Sequence, residues 1–393
     1  MRGRRSQWPE TAAASDYGRM THNPSNQTQR TLAQVVPASN RRPWVDIFRG
    51  LLISHMALDH ASLMFNAGRA EEELAAAGPP VFSSFMQFLT RFAGVPVAPG
   101  FCFMAGFMVA LTSAARERRG VDPADVTKRL IIRGLVLIGV DAVIMGLPRA
   151  LMGFYSFMVL SSIGVGIIAA ALLRNVSTRV LLAVAIGVLV LHPLLDVSAL
   201  PVALRAVLYE PVRTGAFRSM YPVIPWIGVL LMGLVVGRDA LARERPARRW
   251  LVLAGVSLGA FLVIRLAGSY GNAYSYDSVA SLDFWIFAKY PPDLAFLSWS
   301  FACIFLALAV LATLAPRETP WWLRPFEIFG RVPFFFYVVH FYVLGVVQAI
   351  VRARVGLVET YAIWLALLLV MTWPCVWYYR KKRDRPNPVT RYF

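Results

Sequence analysis

Hydrophobic and polar positions fall along this chain in long blocks. Ten apolar runs, at about 44–65, 93–115, 130–147, 155–173, 179–195, 222–237, 250–267, 293–314, 332–351 and 360–379, are separated by short polar links rich in arginine. A run of about 20 apolar residues is what a helix needs to cross the hydrocarbon core of a bilayer. The pattern therefore predicts an all-α polytopic membrane protein with about ten transmembrane helices. The fifth and sixth runs are short for a straight span and are expected to be broken or partly re-entrant. Residues 81–91 are expected to add a short interfacial helix.

The polar segments complete the plan. Residues 1–42 are rich in Arg, Ser, Asn, Gln and Pro. They lack the apolar stretch of a cleavable secretion signal and read as a disordered tail. The membrane domain then runs over 43–379, and a basic tail over 380–393. An even number of spans puts both termini on one side. Loops on that side carry more than twice as many Lys and Arg as loops on the other, which makes both termini cytoplasmic by the positive-inside rule. Two outer segments are long: 66–90, with the acidic run Glu71, Glu72 and Glu73, and 268–292, which ends in Lys289-Tyr290-Pro291-Pro292. Long outer loops are suited to capping a site that opens outward.

Composition agrees with the blocks. Hydrophobic residues make up 57% and charged residues 16%, with mean hydropathy +0.55, which argues against an ordinary soluble enzyme. The net charge of +18 is mostly a topology signal. With no zinc-finger spacing and no basic helix carrying heptads, no nucleic-acid partner is expected; the partner is the bilayer, and homo-oligomerisation stays open. Cys102, Cys303 and Cys375 all sit inside apolar runs, so neither a disulfide framework nor a metal site is expected.

Ionisable groups inside spans are costly and mark function by default. The first span places Asp46, Arg49, Ile53, Met56 and His60 within one arc of roughly 80°. Its low end carries a carboxylate and a guanidinium, readable as an ion pair at the inner interface. His60 follows about 16 Å further out, while His55 points to the opposite face. The third span starts at Arg129 and Arg133 and carries Asp141 about 12 Å outward. The ninth follows Arg331 and carries Tyr337 and, about 13 Å in, His340. His60, Asp141 and His340 thus share a depth on three spans, and Arg49, Arg133 and Arg331 share the inner end. Were these spans neighbours, the bundle would have a basic inner mouth suited to a phosphorylated donor. Its histidine–carboxylate centre would suit proton abstraction from an alcohol or amine. The two prolines and two glycines of 94–100 imply irregular backbone at the outer edge of the second span, tolerated only against protein or a cavity. Residues 219–228, with Tyr221-Pro222 and Pro225-Trp226, look similar.

Taken in order, these segments resemble the heparan-α-glucosaminide N-acetyltransferase-like family of membrane acyltransferases, especially its bacterial branch. The parts are Asp46-Ile47-Phe48-Arg49-Gly50 with Asp59-His60; Arg91 leading to Ala98-Pro99 and Gly106; Arg133-Gly134 with Asp141; Tyr221-Pro222 to Gly228; Lys289-Tyr290-Pro291-Pro292; and Gly330-Arg331-Val332-Pro333 with Tyr337 and His340. The resemblance covers roughly residues 43–350. It implies transfer of an acetyl or other short acyl group from cytoplasmic acetyl-CoA, or another acyl-CoA, to an acceptor on the outer side. That acceptor is a hydroxyl or amine on a small molecule or glycan. It implies that a polar residue near the outer end of the first span assists transfer; we place that role on His60, with Asp59 and Asp141 as candidate orienting or charge-balancing partners and His340 as a second candidate base. Donor binding falls to Asp46, Arg49, Arg133, Arg331 and Tyr337, and acceptor binding to Arg91, Lys289 and Tyr290. The sequence departs from the family at Val95, where bacterial members commonly carry a histidine. Short loops and a single ten-span unit suit a bacterial inner membrane. The competing reading is a proton-coupled transporter or flippase for a glycosylated or anionic substrate, with the same buried His and Asp residues as its proton path; the absence of a visible repeat weighs against it.

Overall fold

The computed structural model describes residues 42–69, 78–212, 215–243, 246–315 and 318–385. The N-terminal tail, the acidic run at 71–73 and the last residues of the C-terminal tail lie outside them. Every apolar run lies mainly within one helix. These are α1 (Pro43–Phe65), α3 (Val97–Glu117), α4 (Pro123–Gly139), α5 (Val159–Leu173), α6 (Thr178–Leu191), α7 (Val223–Leu241), α8 (Ala247–Ala267), α9 (Leu294–Leu314), α11 (Pro333–Val351) and α12 (Leu357–Asp384). Among the described residues there are four shorter helices, of which α2 (Phe85–Ala93) and α10 (Arg324–Arg331) matter below; the others are Leu147–Leu151 and Val202–Leu208. The interfacial helix expected at 81–91 is α2, shifted by a few residues.

Seven helices among the described residues are long and apolar enough to cross a membrane. The runs that fall short do so for two reasons. Helix α1 has 23 residues, ample length, but Asp46, Arg49, Asp59 and His60 make it polar along one side. Helices α5 and α6 have 15 and 14 residues, about 21–23 Å at 1.5 Å per residue. The sixth run, expected to be broken, is instead the unbroken 19-residue α7; it is the fourth and fifth that are short. Helix α6 runs into a 3-10 turn, His192–Leu194.

Outward faces are apolar. Leu251, Val252, Val256 and Val263 of α8 are each more than half exposed, as are Leu369, Val370 and Trp373 of α12. Such a surface would be costly in water and suits contact with lipid chains. The same end of the bundle receives both ends of the described chain. Arg42 donates to the Ala240 carbonyl at the foot of α7 (2.8 Å), and Lys382 lies in the field of Arg133 and Arg49.

Helix α1 sits at the centre, packed against α3, α9, α10, α11 and α12. Its closest crossing is with α10, and glycine allows it. A Cβ on Gly50 would stand 1.7 Å from the Phe326 carbonyl oxygen, and one on Gly330 would stand 1.7 Å from that of Asp46. The glycines of the Arg49-Gly50 and Gly330-Arg331 motifs are therefore one contact. The most extensive helix pair, α3 with α7, is closed the same way, by Gly106 and Gly233. The only sheet among the described residues is the two-stranded parallel pairing of β1 (Tyr155–Phe157) with β2 (Phe217–Ser219).

Candidate active site

One cavity runs along α1. At one end it is lined by Arg49 and Arg133; at the other by Asp59, His60, Tyr221 and Lys289. Its middle is apolar, walled by Met56, Phe101, Met104, Met108 and Ile163 among others. The first, third and ninth spans do border one space, since α1, α4 and α11 all contribute to its wall. The irregular Gly94-Val95-Pro96 turn is also accounted for: Gly94 and Val97 line the cavity, the setting in which non-helical backbone is tolerated at depth.

At the basic end, Arg49 pairs with Asp46 at 3.5 Å. Arg133 lies in the field of Arg49 and Arg116, and its Nε is buried without a hydrogen-bond partner among the described residues. Lys382 of α12 adds a further cation. Arg331 is held elsewhere. Its guanidinium donates to Glu327 one turn earlier and lies 4.8 Å from the Tyr379 ring centroid, and it does not line the cavity. The further cations whose fields reach Arg133 are Arg116 of α3 and Lys382 of α12. Tyr337, grouped by sequence with the donor-binding residues, lies at the other level, its ring 6.4 Å from that of His60.

His60 is the centre of the far end. Its Nδ1 stands 2.8 Å from Nε2 of His340, and Nδ1 of His340 stands 2.8 Å from the Phe336 carbonyl oxygen. A carbonyl can only accept, so Nδ1 of His340 carries the proton. Its Nε2 lone pair then accepts from Nδ1–H of His60 when both rings are neutral. The basic nitrogen left over is Nε2 of His60. His60 lines the cavity, whereas His340 is fully buried and does not.

Of the two expected carboxylate partners, Asp59 acts on His60 while shared with two arginines, and Asp141 is engaged elsewhere. Asp59 faces Arg69 at 3.1 Å and Arg91 at 3.2 Å. Asp141 is fully buried in a π-helical turn, Val140–Ile144. Its Oδ2 accepts from the backbone N–H groups of Met158 (2.9 Å) and Ser161 (3.1 Å), and Arg149 stands 3.9 Å from Oδ1. It caps the start of α5 and does not line the cavity. Arg91 therefore reaches the site through Asp59. Lys289 lines the cavity directly, and Tyr290 does so through Tyr221, to whose hydroxyl it donates at 2.9 Å.

Sequence reasoning missed the supports of this end. The fully buried Arg265 donates to the carbonyls of Phe284, Tyr274, Asp283 and Ile286 and to Asn272, which ties down the outer loop. Asp293 accepts from the N–H groups of Ala273, Ala288 and Phe296. It fixes the turn carrying Lys289, and an Asp directly before an apolar run was a readable helix-cap signal. Burial raises the Asp293 carboxyl above its usual range, against the pull of those N–H groups and Arg265. Among the described residues no cluster of three or more His, Cys, Asp or Glu has the makings of a metal site.

Residues 41–269, more than half of the chain, match the family model described as "Heparan-alpha-glucosaminide N-acetyltransferase, catalytic". No curated protein matches the chain. The matched stretch includes Arg49, Asp59, His60, Arg91, Arg133 and Tyr221, while Lys289, Tyr337 and His340 follow it and join the same end of the cavity through the fold. With that match on a helical bundle of membrane-crossing length, the chain belongs to the heparan-alpha-glucosaminide N-acetyltransferase catalytic family and is a multi-pass membrane transferase.

Proposed function

We propose that this protein transfers an acetyl group, or another short acyl group, from acyl-CoA on the arginine-rich side to a hydroxyl or amine on the other. The acceptor is a sugar or glycoconjugate. The arginine-rich side is the cytoplasm, and the membrane is a bacterial inner membrane; the excess of Lys and Arg on that side supports the orientation.

The observation that carries the reading is the single cavity that joins Arg49 and Arg133 to His60. Eleven residues of α1 separate Arg49 from His60, about 16 Å along the axis. An extended pantetheine arm of about a dozen bonds covers a similar length, roughly 15 Å. Arg49, Arg133, Arg116 and Lys382 fit the phosphates at one end, and the apolar middle excludes water around the arm. Nε2 of His60 then takes the acceptor's proton as its heteroatom attacks the thioester carbonyl, and returns that proton to the departing sulfur. His340 and the Phe336 carbonyl hold His60 in the tautomer that leaves Nε2 basic.

The test is a calorimetric titration of the purified protein with acetyl-CoA and with free CoA. Micromolar binding of both, lost in an Arg49→Gln/Arg133→Gln double variant, is the expected result. Binding of neither would remove acyl transfer and leave proton-coupled transport as the better account of the buried histidines.

A further inference from the structure

Lys289 is a cation whose neighbouring carboxylate, Asp59, is held by other cations. Among the described residues its ammonium makes no hydrogen bond and no ion pair. It lies 5.2 and 5.9 Å from the ring centroids of Tyr290 and Tyr221 and lines the cavity at the level of His60. Its charge reaches both His60 and Asp59. The carboxylate of Asp59 is already shared between Arg69 and Arg91.

The position is rigid. Ala288 donates to Asp293 at 3.1 Å and accepts from its N–H at 3.0 Å, and Lys289 bridges to Pro292 across the turn. The loop before it is pinned by Arg265. Tyr221 is fixed as well. Its oxygen accepts from the Tyr290 hydroxyl, which leaves its own proton free for a group in the cavity. Burial and the neighbouring Tyr290 push the Tyr221 phenol well above its ordinary value, so it keeps that proton.

We propose that Lys289 is a catalytic residue of the acyl transfer proposed above: its ammonium, with the Tyr221 hydroxyl beside it, binds the oxyanion formed on the thioester carbonyl. The chemistry balances within the site. His60 takes the proton of the acceptor O–H or N–H, the acceptor atom bonds to the carbonyl carbon, and the carbonyl π pair moves onto oxygen. Collapse re-forms the carbonyl, breaks the C–S bond, and the sulfur takes the proton from His60. At the intermediate the site holds one new positive and one new negative charge. Asp59 faces the first and Lys289 the second. Fixed charges aimed at a developing oxyanion need no reorganisation during the reaction.

The same ammonium would also suit an anionic group on the acceptor, and the choice of nucleophile separates the two roles. Hydroxylamine is a small acceptor with no anionic group. With full-length protein, acetyl-CoA and hydroxylamine, CoA thiol release is measured in the wild type and in Lys289→Met, Lys289→Arg and Tyr221→Phe, with acetyl-CoA affinity measured by calorimetry. Lys289→Met is expected to slow release about 10²- to 10³-fold with affinity within about twofold, and Lys289→Arg to recover part of the loss. Tyr221→Phe is expected to lose less than Lys289→Met. Release by Lys289→Met at the wild-type rate, with intact affinity, would overturn the oxyanion role and leave acyl transfer standing. A wild type that neither binds acetyl-CoA nor releases thiol would remove acyl transfer and this inference with it.

Discussion

Nδ1 of His60 and Nε2 of His340 stand 2.8 Å apart, and the Phe336 carbonyl behind His340 decides which of them holds the proton. The pair is therefore directional. His340 acts on the reaction only through the orientation of His60. Replacing His340 with Phe removes the acceptor of the His60 Nδ1 proton and is expected to lower turnover about 10- to 100-fold. Gln, whose side-chain oxygen can accept in its place, should recover part of that. A pH–rate profile checks the assignment, because the loss should come with a shifted profile while acetyl-CoA affinity stays put. A His340→Phe enzyme with wild-type rate and profile would make the contact a packing feature.

Arg133 offers a buried guanidinium edge without a hydrogen-bond partner among the described residues. If it meets a phosphate, Arg133→Gln removes one charge-assisted hydrogen bond, worth about 1.5–3 kcal/mol. Acetyl-CoA affinity should then fall roughly 10- to 100-fold. S-acetyl-pantetheine, which has no phosphates, should bind the variant and the wild type alike. Equal loss for both compounds would place Arg133 away from the phosphates.

Asp141 is expected to matter for folding. Its carboxylate caps two N–H groups at the start of α5. Asp141→Ala should cost about 1–3 kcal/mol, seen as a lower thermal midpoint in detergent, with turnover per folded molecule retained. Loss of turnover in folded protein would return Asp141 to the chemistry.

The crossing of α1 and α10 leaves no room for a methyl group at Gly50 or Gly330. Gly330→Ala should destabilise by about 1–3 kcal/mol through overpacking. Because α1 carries Arg49 one residue before the crossing, acetyl-CoA affinity should fall as well. A thermal scan and a titration of the same preparation check both.

Much of this was legible in the sequence, for identifiable reasons. Apolar runs gave each long helix because hydrophobic length is a strong signal, and the arc of α1 followed from helical geometry alone. The grouping of His60 with His340 and of Arg49 with Arg133 came from depth, which the helical rise converts from residue number. Depth says nothing about which way a side chain turns. Asp141 and Arg331 lie near the expected levels yet point to Met158 and Glu327. Lys382 was hidden because α12 runs past its apolar stretch to Asp384, carrying a charge read as tail back towards Arg133 and Arg49. The role of Arg265 was hidden too, since nothing in a sequence shows that distant carbonyls converge on one guanidinium.

The most direct test of the account is the rate of CoA release from acetyl-CoA to hydroxylamine by His60→Ala beside the wild type, with acetyl-CoA affinity measured on both. The account predicts release by the wild type, a loss of about 10²- to 10⁴-fold in the variant, and equal affinity. Release by His60→Ala at the wild-type rate would contradict it and move the base away from His60.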